Sequence, residues 1–201
     1  MKKSASNNLL IVVGGPGSSG STTIAKMLSK HFGIERVYAG GVFRDLVSQL
    51  GYPTLDSFYR EGDQQKFHQL DKQVDQLLIE RAMKGNVLID SKVFAALATV
   101  KKIDCTAKIW LDASLPVRVS RYIGKQRDLS FYKKALLYIQ TWWNLQRRRR
   151  KDGLRYKKLY GVDYNAQNSY NDIVIDSSCL NEDETFNLIL KEINDGGLIK
   201  E

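Results

Sequence analysis

A run of glycine and serine residues separates a short apolar segment from an amphipathic one. Residues 9–13 (LLIVV) are consecutive apolar residues, the pattern of a strand buried on both faces of a parallel sheet. Residues 14–20 (GGPGSSG) follow, and from Ser21 the apolar residues recur at helical spacing. This order predicts a strand, a glycine-rich loop and a helix.

The glycine-rich segment matches the spacing of a phosphate-binding loop. Residues 15–22 fit G-x-x-x-x-G-K-[ST] at every defined position but one, because Ser21 replaces the lysine. Inward-facing backbone N–H groups and the N-terminus of the following helix can bind phosphate without a lysine. An ordinary glycine-rich turn is the alternative. The residues expected to hold the phosphates of a nucleoside triphosphate are Gly15, Pro16, Gly17, Ser18, Ser19, Gly20, Ser21, Thr22 and Thr23.

Alternating strand and helix patterns continue along the chain and predict an α/β fold. A chain of 201 residues is long enough for one domain with a hydrophobic core and short for two domains. We therefore expect a single domain over 1–201. Strands separated by helices predict a five-stranded parallel sheet with helices on both faces. The strands are expected at 9–13, 36–39, 86–90, 107–111 and 173–176, and the later helices at about 115–125, 129–151 and 153–160.

No segment resembles a membrane span or a secretion signal. No run approaches the roughly 18 consecutive apolar residues that a membrane span needs, and no long apolar run follows the N-terminus. Cys105 and Cys179 lie in no metal-binding or redox spacing, which weakly indicates a reducing compartment. We expect a soluble, cytoplasmic protein without a membrane partner.

Polar residues near the ends of the predicted strands are candidates for a metal site and a second phosphate site. Asp90 ends a buried strand, where a carboxylate can order Mg²⁺ together with the Thr22 hydroxyl. Asp112 and Asp176 also end strands, so position alone does not single out Asp90. Arg44 lies one turn into the helix after the second strand, where it could grip an acceptor phosphate; a solvated surface arginine is the alternative.

The positive charge of the chain is concentrated in one block. Residues 115–160 contain 14 Lys or Arg and 2 Asp, a balance of 14 − 2 = +12, whereas the whole chain carries +9. Such a block can neutralise charge during phosphoryl transfer, or it can bind nucleic acid through the run 147–151. Spacing alone leaves both interpretations open. The arginines that could share helix faces are Arg118 with Arg121, and Arg148 with Arg155.

Six segments carry motifs in a fixed order over almost the whole chain. They are 15–26, 39–44 (AGGVFR), 85–92 (GNVLIDSK), 115–121 (LPVRVSR), 155–163 (RYKKLYGVD) and 170–177 (YNDIVIDS). After the phosphate loop they resemble, in turn, S-A-G-x-x-F-R, G-N-V-[VI]-[LI]-E-G-R, P-[LF]-x-V-R-x-x-R, R-Y-x-x-L-Y-G-I-D and Y-D-[LI]-V-I-[DN]-T. These are motifs of the archaeal-type cytidylate kinases, a family of P-loop nucleoside-monophosphate kinases.

The resemblance implies a P-loop kinase fold, a helical acceptor-binding insertion at about 54–84 and a lid at about 125–155. It also implies transfer of a phosphoryl group from Mg-ATP to CMP or dCMP. From the matching positions, the resemblance assigns the following residues to the acceptor site: Ala39, Gly40, Arg44, Asp71 and Lys92. The arginines that it assigns to catalysis are Arg118, Arg121, Arg148 and Arg155.

Departures from the motifs keep two other hypotheses open. Lys92 replaces an arginine, and Asp71-Lys72 and Asp75-Gln76 stand where the family tends to show Asp-Arg pairs, so a kinase of another nucleotide or small acceptor is the first alternative. Because the loop lacks its lysine and the basic block is large, a non-catalytic nucleotide or RNA binder on a kinase scaffold is the second. The sequence leaves a monomer and a dimer equally open.

Overall fold

A parallel five-stranded sheet forms the centre of the molecule. The computed structural model describes residues 8–61, 64–124, 126 and 130–199. The strand order is β2-β3-β1-β4-β5, and every neighbouring pair is parallel. The strands are Leu10–Gly14 (β1), Glu35–Tyr38 (β2), Val87–Asp90 (β3), Ala107–Asp112 (β4) and Ile173–Asp176 (β5). All five strands predicted from the sequence are therefore present.

Helices connect the strands and cover the sheet. The described helices are Ser21–Phe32 (α1), Ala39–Gln49 (α2), Leu55–Glu61 (α3), Gln64–Lys84 (α4), Phe94–Lys101 (α5), Leu115–Gly124 (α6), Phe131–Tyr160 (α7) and Glu182–Asp195 (α8), with a 3-10 turn at Gln167–Ser169. The cation-rich block of the sequence forms α6 and α7. None of the described helices is both long and apolar enough to span a membrane.

Both faces of the sheet are buried, which confirms the fold class predicted from the sequence. Successive side chains of a strand point to opposite faces. On one face Ile11 packs with Ile24 of α1 and Ile189 of α8. On the other face Val12 packs in a second cluster that includes Leu78 of α4 and Phe94 of α5. Because β1 lies at the centre, the loop that follows it opens at the middle of the sheet edge.

A single helix, α7, replaces the two helices expected at 129–151 and 153–160, so the predicted break is wrong. A glycine in a helix costs about 1 kcal/mol relative to alanine, which tertiary packing can offset. Here an added Cβ atom on Gly153 would lie 3.7 Å from Cβ of Tyr164. Tyr156, one turn later, is only 7% exposed. An added Cβ atom at Gly153 would thus make only an ordinary van der Waals contact, and burial of the turn that follows the glycine offsets its cost in the continuous helix.

Parts of the expected insertion and lid lie outside the described residues. They are residues 62–63 in the insertion, and residues 125 and 127–129 at the start of the lid. The described part of the insertion consists of α3 and α4, and the described part of the lid consists mainly of α7.

Candidate active site

The glycine-rich loop lies at the carboxyl end of β1, between the ends of β3 and β4. Gly15 packs so closely against β4 that an added Cβ atom would lie 2.5 Å from the carbonyl oxygen of Leu111. Gly20 has a φ of 101°, in the left-handed region that favours glycine, and it directly precedes α1. The backbone geometry therefore requires these two glycines.

The N-terminus of α1 completes the loop. The Ser19 N–H donates to the Pro16 carbonyl at 3.1 Å and closes a turn within the loop, where Ser18 has a φ of 66°. α1 begins at Ser21, has no acidic residue in its first turn, and has no side-chain cap at Gly20. A helix N-terminus without a capping or acidic side chain favours an anion. The loop and the helix can therefore bind phosphate although Ser21 replaces the lysine.

Asp90 lies at the carboxyl end of β3, beside the start of α1. The Arg36 guanidinium donates to its Oδ2 atom from Nη2 at 2.5 Å and from Nε at 3.2 Å. Burial raises the pKa of Asp90, whereas hydrogen bonds from Arg36 and Thr22 lower it. The Thr22 hydroxyl and the Asp90 carboxylate are thus neighbours. Asp112 and Asp176 end β4 and β5, on the opposite side of β1 from Asp90.

Two arginines of α6 contact the phosphate loop through its carbonyl groups. Arg121 donates from Nη1 to the Ser19 carbonyl at 2.7 Å and from Nη2 to the Ser177 carbonyl at 2.6 Å. Arg118 is 3% exposed and donates from Nη1 to the Gly17 carbonyl at 3.4 Å. Its Nε atom has no partner among the described residues. Arg121 ties the loop to the segment after β5, and Arg118 keeps an unused donor beside the loop.

A buried ionic network joins α7 to the residues after β3 and to α4. Lys92 Nζ lies 2.9 Å from Oδ2 of Asp152, and burial lowers the pKa of Lys92 while Asp152 opposes that effect. Arg155 Nη1 lies 3.6 Å from Oδ1 of Asp71, and its Nη2 donates to the Tyr156 hydroxyl at 2.9 Å. The structure therefore brings together three residues that the sequence motifs assigned to the site, namely Lys92, Asp71 and Arg155.

A second contact between α4 and α7 lies one helical turn further along each helix. The Tyr160 hydroxyl donates a hydrogen bond to Oδ2 of Asp75. Burial and the nearby charge of Asp71 raise the pKa of Asp75 from 3.8 to about 7, although Arg155 and Lys101 oppose the change. The expected insertion is thus held against α7 by polar side chains.

The start of α2 carries the residues of the predicted acceptor motif. Ala39 and Gly40 form the first turn of α2, and Arg44 follows in its second turn with an exposed side chain. The Arg44 guanidinium carbon lies 5.2 Å from the ring centroid of Tyr38, over the ring. The Arg36 guanidinium carbon lies over the same ring at 4.9 Å. Arg44 and Arg36, which binds Asp90, therefore share the ring of Tyr38.

The basic run of α7 is divided between two environments. Arg149 Nη1 lies 3.8 Å from Oδ2 of Asp112. Arg147 and Arg150 line a cleft of about 1240 Å³ between α7 and the ends of β4 and β5, which Arg118 also lines. Arg148 is exposed. It lies close enough to Lys92, which follows β3, for its charge to contribute to the lowered pKa of that lysine. Arg147, Arg149 and Arg150 therefore share the cleft, which Asp112 also lines, whereas Arg148 does not line it.

Sequence reasoning missed several partners in these networks. Arg36 and Asp152 form ion pairs with Asp90 and Lys92, and no motif includes their side chains. Tyr156 and Tyr160 lie inside a recognised motif, but their hydrogen bonds depend on how α7 packs. The available signal was the helical spacing of Asp71 and Asp75, which places both carboxylates on one face of α4. Their partners on α7 could be found only from the tertiary structure.

The strand–loop–helix unit, the carboxylate beside it and the surrounding cations define a P-loop phosphotransferase of the kinase type. A model of a family described as AAA domain matches residues 13–130. The cytidylate kinase of Methanopyrus kandleri is 32% identical to this chain over 93% of the chain and 94% of its own length. That of Pyrococcus horikoshii is 31% identical over 97% and 96%. The chain belongs to the cytidylate kinase family, as the sequence motifs predicted.

Solved structures share the fold at low sequence identity. Shikimate kinase from Aquifex aeolicus superposes with a TM-score of 0.53 at 16% identity, covering 96% of this chain and all of its own. A protein from Thermus thermophilus gives a TM-score of 0.60 at 14% identity, covering 94% of this chain and 97% of its own. At these identities the likeness concerns the fold alone.

Proposed function

We propose that this protein transfers the γ-phosphoryl group of ATP to CMP or dCMP. One observation carries the proposal: the phosphate loop, the Thr22–Asp90 pair and the Lys92–Asp152 and Arg155–Asp71 ion pairs all lie around the carboxyl end of β1 and β3. In open α/β sheets, ligands bind outside the carboxyl ends of the strands. Membership of the cytidylate kinase family favours this function over a different acceptor and over a non-catalytic binder.

In the proposed mechanism, the protein binds, orients and stabilises charge, because phosphoryl transfer needs little covalent chemistry from the enzyme. Residues 15–23 hold the donor phosphates through backbone N–H groups, apart from Pro16, which has none, and Ser19 and Thr23, whose N–H groups donate to the Pro16 and Gly20 carbonyls. Arg44 and Lys92 hold the acceptor phosphate, with Ala39, Gly40 and Asp71 shaping the acceptor site. Arg118, Arg148 and Arg155 neutralise the charge on the transferred oxygens. Arg121 contributes by fixing the loop, since its donors are bonded to protein carbonyl groups.

The residues at the loop fit a Mg²⁺ ion that binds together with ATP. Thr22 and Asp90 are neighbours that offer a hydroxyl and a carboxylate oxygen, the ligand type that Mg²⁺ prefers. Among the described residues no cluster of three or more His, Cys, Asp or Glu could hold a metal, so phosphate oxygens and water would complete the coordination. When bound, Mg²⁺ would neutralise charge on the donor phosphates.

The two substrates would bind on opposite sides of β1. The acceptor side is formed by α2, α4 and the segment after β3, and we assign the insertion at about 54–84 to it. The cleft beside Arg118 lies on the β4–β5 side, and its volume of about 1240 Å³ is ample for the donor nucleoside. We assign the lid to about 125–155 within the single domain 1–201. Free Cys105 and Cys179 are consistent with the cytoplasmic location that we propose.

A coupled assay of ATP consumption against a panel of nucleoside monophosphates tests the function. CMP or dCMP should give the highest kcat/KM. Asp90→Asn should abolish most turnover, whereas Asp195→Asn, at the exposed end of α8, serves as the matched control. Preference for another acceptor would support the first alternative. Nucleotide binding without turnover for any acceptor would support the non-catalytic alternative.

A further inference from the structure

The side chain of Tyr38 lies between the candidate metal carboxylate and the arginine assigned to the acceptor phosphate. Tyr38 is the last residue of β2 and directly precedes α2. Two guanidinium carbons lie over its ring, that of Arg36 at 4.9 Å and that of Arg44 at 5.2 Å from the centroid. Both distances are within the roughly 6 Å at which a cation and an aromatic face attract each other.

The ring is held in place by its other neighbours. Arg36 is fixed by its two hydrogen bonds to Asp90, and its side chain is only 17% exposed. Gly40 approaches the ring so closely that an added Cβ atom would lie 2.7 Å from the Tyr38 hydroxyl oxygen and 2.8 Å from Cζ. The ring therefore lies directly on the backbone of the first turn of α2. Such a ring can act as a rigid support.

Arg44 is the one member of this group with an exposed side chain. A free arginine side chain loses about 2 kcal/mol of rotamer entropy when it is fixed. An attractive surface under the guanidinium restrains the side chain before the ligand arrives, so less of that entropy is lost on binding. The S-A-G-x-x-F-R motif has serine at the position of Tyr38, so the aromatic support is a feature of this chain and not of the motif.

We propose that Tyr38 is a positioning residue that pre-orients Arg44 for the phosphate of the acceptor nucleotide. The ring attracts the guanidinium by its face and needs no hydroxyl for this role. The acceptor should therefore lose affinity when the ring is removed, while the donor, bound at the phosphate loop, should be unaffected. This inference rests on the proposed function, because it takes Arg44 as the ligand of the acceptor phosphate.

The test is a double-mutant cycle between Tyr38→Leu and Arg44→Met, with Tyr38→Phe as the conservative variant. CMP and ATP binding are measured separately by calorimetry, and KM and kcat by the coupled assay. Tyr38→Leu should weaken CMP binding by about two- to fivefold, the range expected for an exposed cation–π contact, and leave ATP binding unchanged. Tyr38→Phe should bind CMP as the wild type does. In the Arg44→Met background, Tyr38→Leu should cause no further loss.

The outcomes separate the inference from the proposed function. If Arg44→Met weakens CMP binding and Tyr38→Leu has no effect, or has an equal effect in both backgrounds, Tyr38 does not act through Arg44 and the inference is wrong. If Arg44→Met leaves CMP binding unchanged, the assignment of Arg44 to the acceptor phosphate fails, and the role of Tyr38 fails with it. The unfolding midpoints of all variants show whether a loss of CMP binding arises from misfolding. Tyr38→Phe keeps the aromatic ring and its packing contacts.

Discussion

Replacement of Asp75 by asparagine should change the pH dependence of stability. Asp75 is 9% exposed on α4 and accepts a hydrogen bond from the Tyr160 hydroxyl of α7. Burial first, and then the charge of Asp71, raise its pKa from 3.8 to about 7. An asparagine keeps an oxygen that can accept from Tyr160 and cannot ionise, so Asp75→Asn imitates the protonated carboxyl group.

The direction of the pH effect on stability follows from the protons that Asp75 binds in the folded and in the unfolded state. Between pH 3.8 and about 7 the folded protein retains a proton that the unfolded chain has released. The folded state therefore loses stability as the pH rises through this interval, by about 1.4 kcal/mol for each pH unit. The interval from pH 5 to pH 7 spans two units, so the contribution of Asp75 falls by roughly 3 kcal/mol between pH 5 and pH 8.

Urea unfolding at pH 5 and at pH 8 measures this contribution. The stability of Asp75→Asn relative to the wild type should increase by roughly 3 kcal/mol from the lower to the higher pH. Glu80→Gln, at an exposed acid of the same helix, is the control and should show little such change. A difference between Asp75→Asn and the wild type that is the same at both pH values would refute the reasoning, because Asp75 would then ionise alike in both states.

Three further substitutions test the loop, the metal site and the lid. Thr22→Ala should lower turnover most at limiting Mg²⁺ and leave the unfolding midpoint nearly unchanged, since it removes one partly exposed hydroxyl. If the variant is as active as the wild type at limiting Mg²⁺, Thr22 does not belong to the metal site. Gly15→Ala should weaken ATP binding and lower the unfolding midpoint, because its Cβ would lie 2.5 Å from the Leu111 carbonyl oxygen; calorimetry and thermal unfolding check both. Arg148→Ala should reduce kcat by about tenfold or more, equal to about 1.4 kcal/mol, whereas Lys151→Ala, at an exposed cation of the same run that does not line the cleft, should cost much less. Similar losses at both positions, with salt-dependent RNA binding weakened by each, would favour a nucleic-acid surface instead.

Local patterns in the sequence determined the strands, the phosphate loop and the family. β5 was predicted at 173–176 and lies there, at the edge of the sheet, because a strand needs only a short apolar run between polar ends; Ile173 and Ile175 are buried and Val174 is exposed. The loop was recognisable without its lysine, since the spacing of its glycines reflects backbone geometry that Gly15 and Gly20 show directly. The local pattern failed at Gly153, where burial of the following turn at Tyr156 offsets the low helix propensity of glycine and α7 continues.

Only the tertiary structure decided which polar side chains meet. Arg36 and Asp90 are 54 residues apart, Lys92 and Asp152 are 60 apart, and Asp75 and Tyr160 are 85 apart. Hydrophobic periodicity shows which face of an element is buried, but it does not specify the partner of a charged side chain on another element. A buried charged or polar group is tolerated only when it is paired or hydrogen-bonded, so these contacts form once the sheet and α7 bring the groups together. The sequence thus placed the phosphate loop, and the packing of α2, α4 and α7 determined the polar contacts on the β2–β3 side of that loop.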